Sequence, residues 1–444
     1  MNEQTKIIVL DDDPTGSQTV HSCLLLTRWD VETLRAALLD AAPLFFVLTN
    51  TRGMDARRAA AVTREVCRHL DAALQALRDA GLIIHPVLVS RSDSTLRGHY
   101  PVETDVIAAE LGPFDAHFLV PAFFEGGRIT RDSVHYLMVD GKPVPTHETE
   151  FARDSVFGYS TSYLPAYVEE KTGGRIAANA VERFRLNDVR HDVLPRLLQL
   201  RGNRCCVVDA ECQSDLDHFA AAIKRAAAQG KRFLFRSAAS LLTALAALPP
   251  QPLAAEAMAK YARGGRAGAV VIGSHVRKST LQLEHLLKEP DVLPIEVDVA
   301  SIATAGASLL HYVEHETARA HQAELTPAIY TSRTELTFAD TETRLAFGEQ
   351  VSAFLMEVVR ALPADLGFLI SKGGITSNDV LSSGLALRSA RVLGQILAGC
   401  SVVRCPADHP RFPDMPAVIF PGNVGDERAL ATVLRRLRPL RDKT

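Results

Sequence analysis

The 444-residue chain is 47% hydrophobic and 23% charged, with a net charge of −3 and a pI of about 6.6. That balance fits a globular protein of two or three domains and excludes one drawn to nucleic acid or membrane by bulk charge. No apolar run approaches the ~18 residues that cross a bilayer, no basic leader opens the chain, and the seven cysteines lack a Cys-x-x-Cys spacing, which reads as reduced thiols in a cytoplasmic protein.

Short β-branched or aromatic runs alternate with amphipathic helical stretches. In the first half, strands are predicted at 7–10, 23–26, 44–49, 86–90, 117–120, 205–209 and 232–236, with helices at 31–42, 55–80 and 216–229. In the second half, strands are predicted at 269–272, 294–299, 328–331, 367–370, 401–405 and 417–420, with a helix at 344–361. This alternation predicts an α/β protein of two domains, each a mainly parallel sheet flanked by helices, with the active site in the inter-domain cleft. Leu248-Pro249-Pro250-Gln251-Pro252 cannot continue a helix. It sets domains at 1–248 and 268–444, joined by a linker at 249–267. Residues 131–176 are polar, rich in Tyr and Thr and without periodicity, which predicts a long functional loop or lid, or else surface decoration.

The N-terminal half carries its charge at strand ends. Asp11-Asp12-Asp13-Pro14-Thr15-Gly16 follows the first strand. An Asx-turn explains one of three adjacent carboxylates; a general base or a magnesium-facing group explains the others. Arg91-Ser92-Asp93-Ser94-Thr95-Leu96-Arg97-Gly98 follows a second strand and precedes a helix near Pro101. Arg pairs bidentately with a carboxylate while Asp and Ser bond hydroxyls, so this run suits a small polyhydroxy acid. Thr49-Asn50-Thr51-Arg52 and Gly126-Gly127-Arg128 end two further strands. Each alone reads as a structural turn; together the four make a site.

The C-terminal strand ends carry glycine instead. Leu369-Ile370-Ser371-Lys372-Gly373-Gly374-Ile375-Thr376-Ser377 reads as strand, turn and helix start, with Thr376 or Ser377 as N-cap. Such a turn lets phosphate approach backbone N–H groups. Phe420-Pro421-Gly422-Asn423-Val424-Gly425 and Ile272-Gly273-Ser274-His275 repeat the arrangement, the second leading into a helix with Lys278. His275 reads as a capping or packing residue rather than a catalyst. Neither the dinucleotide fingerprint nor the P-loop pattern occurs at these turns. No metal ligand set can be assigned directly.

Taken jointly and in order, these motifs resemble the four-carbon acid sugar kinases. The resemblance rests on Asp12–Gly16, Asp93–Gly98, Pro121-Ala122-Phe123 with Gly127-Arg128, Gly273-Ser274, Gly373–Thr376 and Pro421-Gly422-Asn423, and spans nearly the whole chain. It implies ATP- and Mg2+-dependent phosphorylation of the terminal hydroxyl of 3-oxo-tetronate, threonate or erythronate, with an acid-sugar domain followed by a nucleotide domain. It implies Asp13, Arg52, Asp93, Ser94 and Arg97 on the acid side; from the residues themselves Asp13 or Asp12 is expected as the base, with Asp12, Thr15 and Arg128 also around the acid. By the resemblance Ser274, Gly373, Gly374, Ile375, Thr376 and Gly422 would hold the nucleotide, and His275, Lys278, Pro421 and Asn423, on the same turns, are expected beside them. The chain departs from the family pattern at Ser17-Gln18-Thr19, at Arg91, where a lysine is expected, and along 154–175. All of these touch the acid side. Two other readings stay open: a non-catalytic binder of the same ligands, and a hydroxy-acid lyase or dehydrogenase. Apolar helix faces serve core and interface equally, which leaves a homodimer open.

Overall fold

The computed structural model describes residues 2–333, 336, 341–422 and 424–438. Contacts divide the chain into two compact units, Met1–Pro249 and Pro250–Thr444. The strands of the first are β1 (Asn2–Asp11), β2 (Leu24–Leu26), β3 (Leu44–Leu48), β4 (Leu82–Arg91), β5 (Ala116–Val120), β6 (Arg128–Arg131), β7 (Val134–Val139), β8 (Lys142–Pro145), β9 (Glu182–Phe184), β10 (Arg204–Val208) and β11 (Phe233–Ser237). Eight of them form a wholly parallel array in the order β2-β3-β1-β4-β11-β5-β10-β9. Such strands are covered on both faces and so read as unbroken apolar runs; Leu44–Leu48 is buried at every position.

One face of that sheet is packed by the helix Ala56–Asp79, whose first turn is capped by the Asp55 carboxylate accepting from Arg58 N. Val66, Cys67, Leu70, Ala73 and Leu77 recur at helical spacing and meet Ile8, Phe45 and Leu88. Each large side chain buried there contributes ~1.5–3 kcal/mol. On β5, β9 and β11, Phe118, Phe184 and Phe235 cluster with Phe219 of the helix Gln213–Ala227; Phe118 and Phe235 stack at 5.5 Å.

The 131–176 stretch is not the unstructured loop its composition predicts. It carries most of a three-stranded antiparallel sheet, β6-β7-β8, and the helix Leu164–Lys171. Its strands are short and half-exposed, and prolines interrupt the last of them. The hydrophobic pattern that would announce them is therefore weak.

The strands of the second unit are β12 (Ala269–Ile272), β13 (Val292–Val297), β14 (Thr326–Thr331), β15 (Leu369–Lys372), β16 (Ser389–Leu397), β17 (Cys400–Arg404) and β18 (Pro416–Phe420). Their order is β13-β14-β12-β15-β18-β17-β16. The first five run parallel, and β17 is antiparallel to both neighbours. Strand β16 has no counterpart in the sequence reading, because Arg391, Gly394 and Gln395 break its apolar run. The stretch expected as linker holds a 3-10 helix, Ala255–Tyr261, whose Met258 lies in the second unit's core.

Strand order locates a crevice in each unit. In the first, β2 and β3 lie on one side of β1 while β4 lies on the other. In the second, β13 and β14 lie on one side of β12 and β15 on the other. Open α/β sheets bind ligands outside the carboxyl ends of the strands at such a reversal. The strand ends there are level: Asp11 pairs in register with Leu48 and Arg91, and Lys372 with Ile272 and Phe420.

Candidate functional site

The N-terminal reversal gathers charge. Asp11 and Asp12 are fully buried, and Asp13 is one residue further out with 21% of its side chain exposed. Arg52, delivered by the turn after β3, donates to both Asp12 oxygens and, from Nη1, to Asp13 Oδ2 at 3.1 Å. The other Asp13 oxygen accepts from Thr15 N at 2.8 Å and from Thr15 Oγ1. Burial would raise the Asp13 carboxyl, but Arg52, Arg91 and the Thr15 hydrogen bonds outweigh it and hold it below the ordinary range. Asp12 moves up through burial despite Arg52. Burial pushes Asp11 up to about 8, against the pull of Arg91. The Arg91 guanidinium lies 3.5 Å from Asp11, a Coulombic contact too long for a hydrogen bond, and Asp11 Oδ2 has no partner. Gly16 is required here: a Cβ on it would stand 1.9 Å from Asp11 Oδ2.

The second cluster is Asp93 and Arg97, paired at 2.8 Å. Arg97 also faces Asp154 at 3.7 Å and stacks on Phe151 at 5.0 Å. Burial opposes ionisation of Asp93, but Arg52 and Arg97 hold its carboxyl well below the usual range. Arg128 differs from the other two arginines. It forms no ion pair among the described residues, its Nε is buried without a partner, and its Nη1 bonds only Gly126 O. Burial lowers its pKa while Asp93 partly compensates. An uncompensated, partly buried guanidinium beside Asp93 and Arg97 suits an incoming carboxylate.

Several supporting residues escape sequence reasoning because they lie in the stretch read as loop or inside regular elements. His135 donates from Nε2 to Ser94 O at 2.7 Å, and its Nδ1 accepts from Thr130 Oγ1 at 2.9 Å, as fits a ring that burial keeps neutral with a pKa of about 4. Tyr159 and Tyr167 donate to Thr95 O and Leu96 O, both at 2.8 Å. The 131–176 segment thus braces the 93–98 turn. Beneath it, Arg236 and Glu103 form a buried pair that also engages Ser90 and Thr51. Breaking such a pair costs ~3–5 kcal/mol.

In the second unit, a cavity of about 620 Å³ opens at the β12/β15 reversal. Ser274, His275, Gly373, Gly374, Ile375, Thr376 and Gly422 line it. Lys278, on the first turn of the helix Arg277–Leu286, and Pro421 do not, and Asn423 lies outside the described residues. Gly373, not Thr376 or Ser377, occupies the cap position of the helix Gly374–Asp379. Its φ of +117° is a conformation that favours glycine. Ser377 turns inward instead and hydrogen-bonds Ser371. Nor does His275 cap or pack: it is exposed at the cavity, and Val276 precedes the helix. Arg344, Phe347, Val351 and Leu355 of the helix Thr341–Ala361 also line the cavity. Their spacing reads simply as an amphipathic helix, so sequence alone does not mark them.

Comparison with known proteins gives these sites a context. A sugar-binding N-terminal domain model matches residues 7–245, more than half of the chain, and a nucleotide-binding C-terminal domain model matches 269–430. The chain belongs to the four-carbon acid sugar kinase family. Among curated proteins, a D-erythronate kinase of Heliobacterium modesticaldum is 27% identical over 223 residues, 49% of this chain and 47% of that protein. A D-threonate kinase of Bordetella bronchiseptica is 32% identical over 165 residues, 35% of this chain and 37% of that protein. The chain therefore matches about half or less of the length of these relatives. Two crystal structures share the fold. Haemophilus influenzae protein HI1011, of the DUF1537 family, has a TM-score of 0.66 at 17% identity, covering 97% of this chain and 100% of that one. A Salmonella typhimurium LT2 protein labelled a tRNA synthase has a TM-score of 0.67 at 20% identity, covering 97% and 98%. No helix among the described residues of this family member is long and apolar enough to cross a membrane.

Proposed function

We propose that this chain is an ATP-dependent kinase that phosphorylates the terminal hydroxyl of a four-carbon sugar acid such as 3-oxo-tetronate, threonate or erythronate. The observation that carries the reading is the pairing of two unlike sites. The first unit presents an ionised, reachable Asp13 and, beside Asp93, an arginine, Arg128, without an ion pair among the described residues; the second presents a glycine-lined cavity sized for a small ligand.

Asp13 is the base in this reading. It is the reachable member of its triplet and stays ionised at neutral pH, so it accepts the hydroxyl proton as that oxygen attacks the γ-phosphorus and ADP leaves. Asp12, buried and saturated by Arg52, orients Arg52 rather than the acid. Arg128 takes the substrate carboxylate, while Asp93, Ser94 and Arg97 position its hydroxyls. The Gly373 and Gly422 turns cradle the phosphates. Among the described residues no group of three His, Cys, Asp or Glu side chains could hold a metal ion. Mg2+, which neutralises phosphate charge, would enter on the nucleotide and keep several of its waters.

The decisive test is ADP release with Mg-ATP against D- and L-threonate, D- and L-erythronate and their 3-oxo forms. Turnover should appear with at least one acid. Asp13→Asn should then lower kcat by about 10²–10⁴-fold with ATP affinity nearly unchanged, and Arg128→Ala should act mainly on KM for the acid. Near-normal turnover in Asp13→Asn rules out the assigned base. Failure of every acid while ATP binds points to a different acceptor.

A further inference from the structure

Lys372 ends β15 at the reversal and is fully buried. Its Nζ donates to Pro421 O at 2.5 Å and to Gly422 O at 3.0 Å, and lies 4.3 Å from the Phe420 ring centroid. It makes no ion pair among the described residues. The lysine is not in the cavity wall, but its neighbour Gly373 and its acceptor Gly422 are. A buried ammonium without a counter-ion is costly, and the cost is relieved if an anion arrives beside it.

We propose that Lys372 is a positioning residue for the nucleotide: it fastens the Pro421–Gly422 turn to the Gly373 turn and supplies the buried positive charge that the phosphates neutralise. This rests on the nucleotide reading of the cavity. Occupying two carbonyls with one side chain fixes how the Gly422 turn faces the cavity. Burial brings Lys372 down to about 7, with Lys278 of the helix Arg277–Leu286 adding to the shift; Cys400 of β17 would oppose it only as a thiolate. The Cys400 thiol is itself pushed up to about 12 by burial and stays neutral. The ammonium is therefore charged below about pH 7 and becomes an amine above it. The amine keeps two N–H donors for the two carbonyls, so the turn survives while the charge goes. By linkage, a phosphate that favours the charged form must draw a proton on binding.

The experiment is calorimetric titration of the full chain with Mg-ADP from pH 6 to 9, in buffers of different ionisation heat. Wild type should lose about tenfold in affinity as pH rises past 7 and should take up protons on binding at pH 8. Lys372→Met should bind at least about tenfold more weakly at pH 6 and show a flatter profile, the titration of ADP itself being common to both proteins. Lys372→Gln keeps two N–H donors without the charge, and should show the flat profile with a smaller loss at pH 8. His275→Ala tests the exposed imidazole at the cavity and should keep the slope and the proton uptake. Unaltered affinity and slope in the Lys372 variants, or a slope lost in His275→Ala alone, overturns the inference. Absence of proton uptake in wild type also overturns it and needs no variant. A wild type that does not bind ADP at all overturns the nucleotide reading, and the inference with it.

Discussion

Of the three adjacent carboxylates, Asp11 is the one with a buried oxygen that lacks a hydrogen-bond partner among the described residues. Its ordinary pKa near 3.9 rises to about 8 in the fold. Between those values the folded chain keeps a proton that the unfolded chain releases, so this residue makes stability fall as pH climbs from about 4 to 8. Asp11→Asn removes the titration while keeping the shape against Gly16. The difference in Tm between mutant and wild type, measured by calorimetry at pH 5 and pH 9, should grow in the mutant's favour, since each tenfold difference in proton affinity between folded and unfolded chain is worth ~1.4 kcal/mol. A difference independent of pH would show that Asp11 is ionised in the fold. The same reasoning separates the neighbours: Asp13 is held ionised by Arg52, Arg91 and Thr15, and Asp12 is enclosed by Arg52. Three identical residues in a row thus differ in protonation through their partners: burial raises Asp11 and Asp12, while Arg52, Arg91 and Thr15 hold Asp13 down.

At the scale of elements, the 93–98 turn depends on structure far along the chain. Tyr159, Tyr167 and His135 hold three successive carbonyls, those of Thr95, Leu96 and Ser94. Tyr159→Phe leaves the Thr95 carbonyl short of its donor at a buried position, costing ~1–2 kcal/mol. Tm should drop by a few degrees and KM for the acid should rise several-fold, while ATP affinity stays as in wild type. A mutant with unchanged KM would make this bracing purely structural. The sequence placed strands and helices well where burial is continuous, as at Leu44–Leu48, or one-sided, as along Ala56–Asp79. It missed β6 to β9 and β16, where strands are short, half-exposed or interrupted.

At the scale of the molecule, each unit has its own core and its own reversal point. Ligands that bind a folded unit stabilise it by mass action. Hydrogen exchange on the full chain should therefore show Mg-ADP protecting residues around Gly273, Gly373 and Gly422, and the preferred acid protecting 11–16, 52 and 93–97. Protection of the Asp93 region by ADP alone would reverse the assignment of the two sites. Both units share one form, a strand-order reversal whose strand ends carry the candidate site, with opposite chemistry: arginines and carboxylates in one, glycine turns in the other.

The amino-acid sequence by itself determined the α/β alternation, the character of both sets of strand-end turns and the family. Those are local properties: an apolar run, a Gly-Gly turn or an Asp-Ser-Thr-Leu-Arg-Gly string carries its meaning within a few residues. Only the tertiary structure decided which charges are spent and which are free. Arg52, Arg97 and Arg128 look alike in the sequence, yet two pair with carboxylates and Arg128 forms no ion pair among the described residues. Lys372 reads as one polar residue before a glycine pair, yet strand register buries it between two turns that lie 49 residues apart in the chain. Protonation and pairing follow from distance and depth, and those are set by residues remote in sequence.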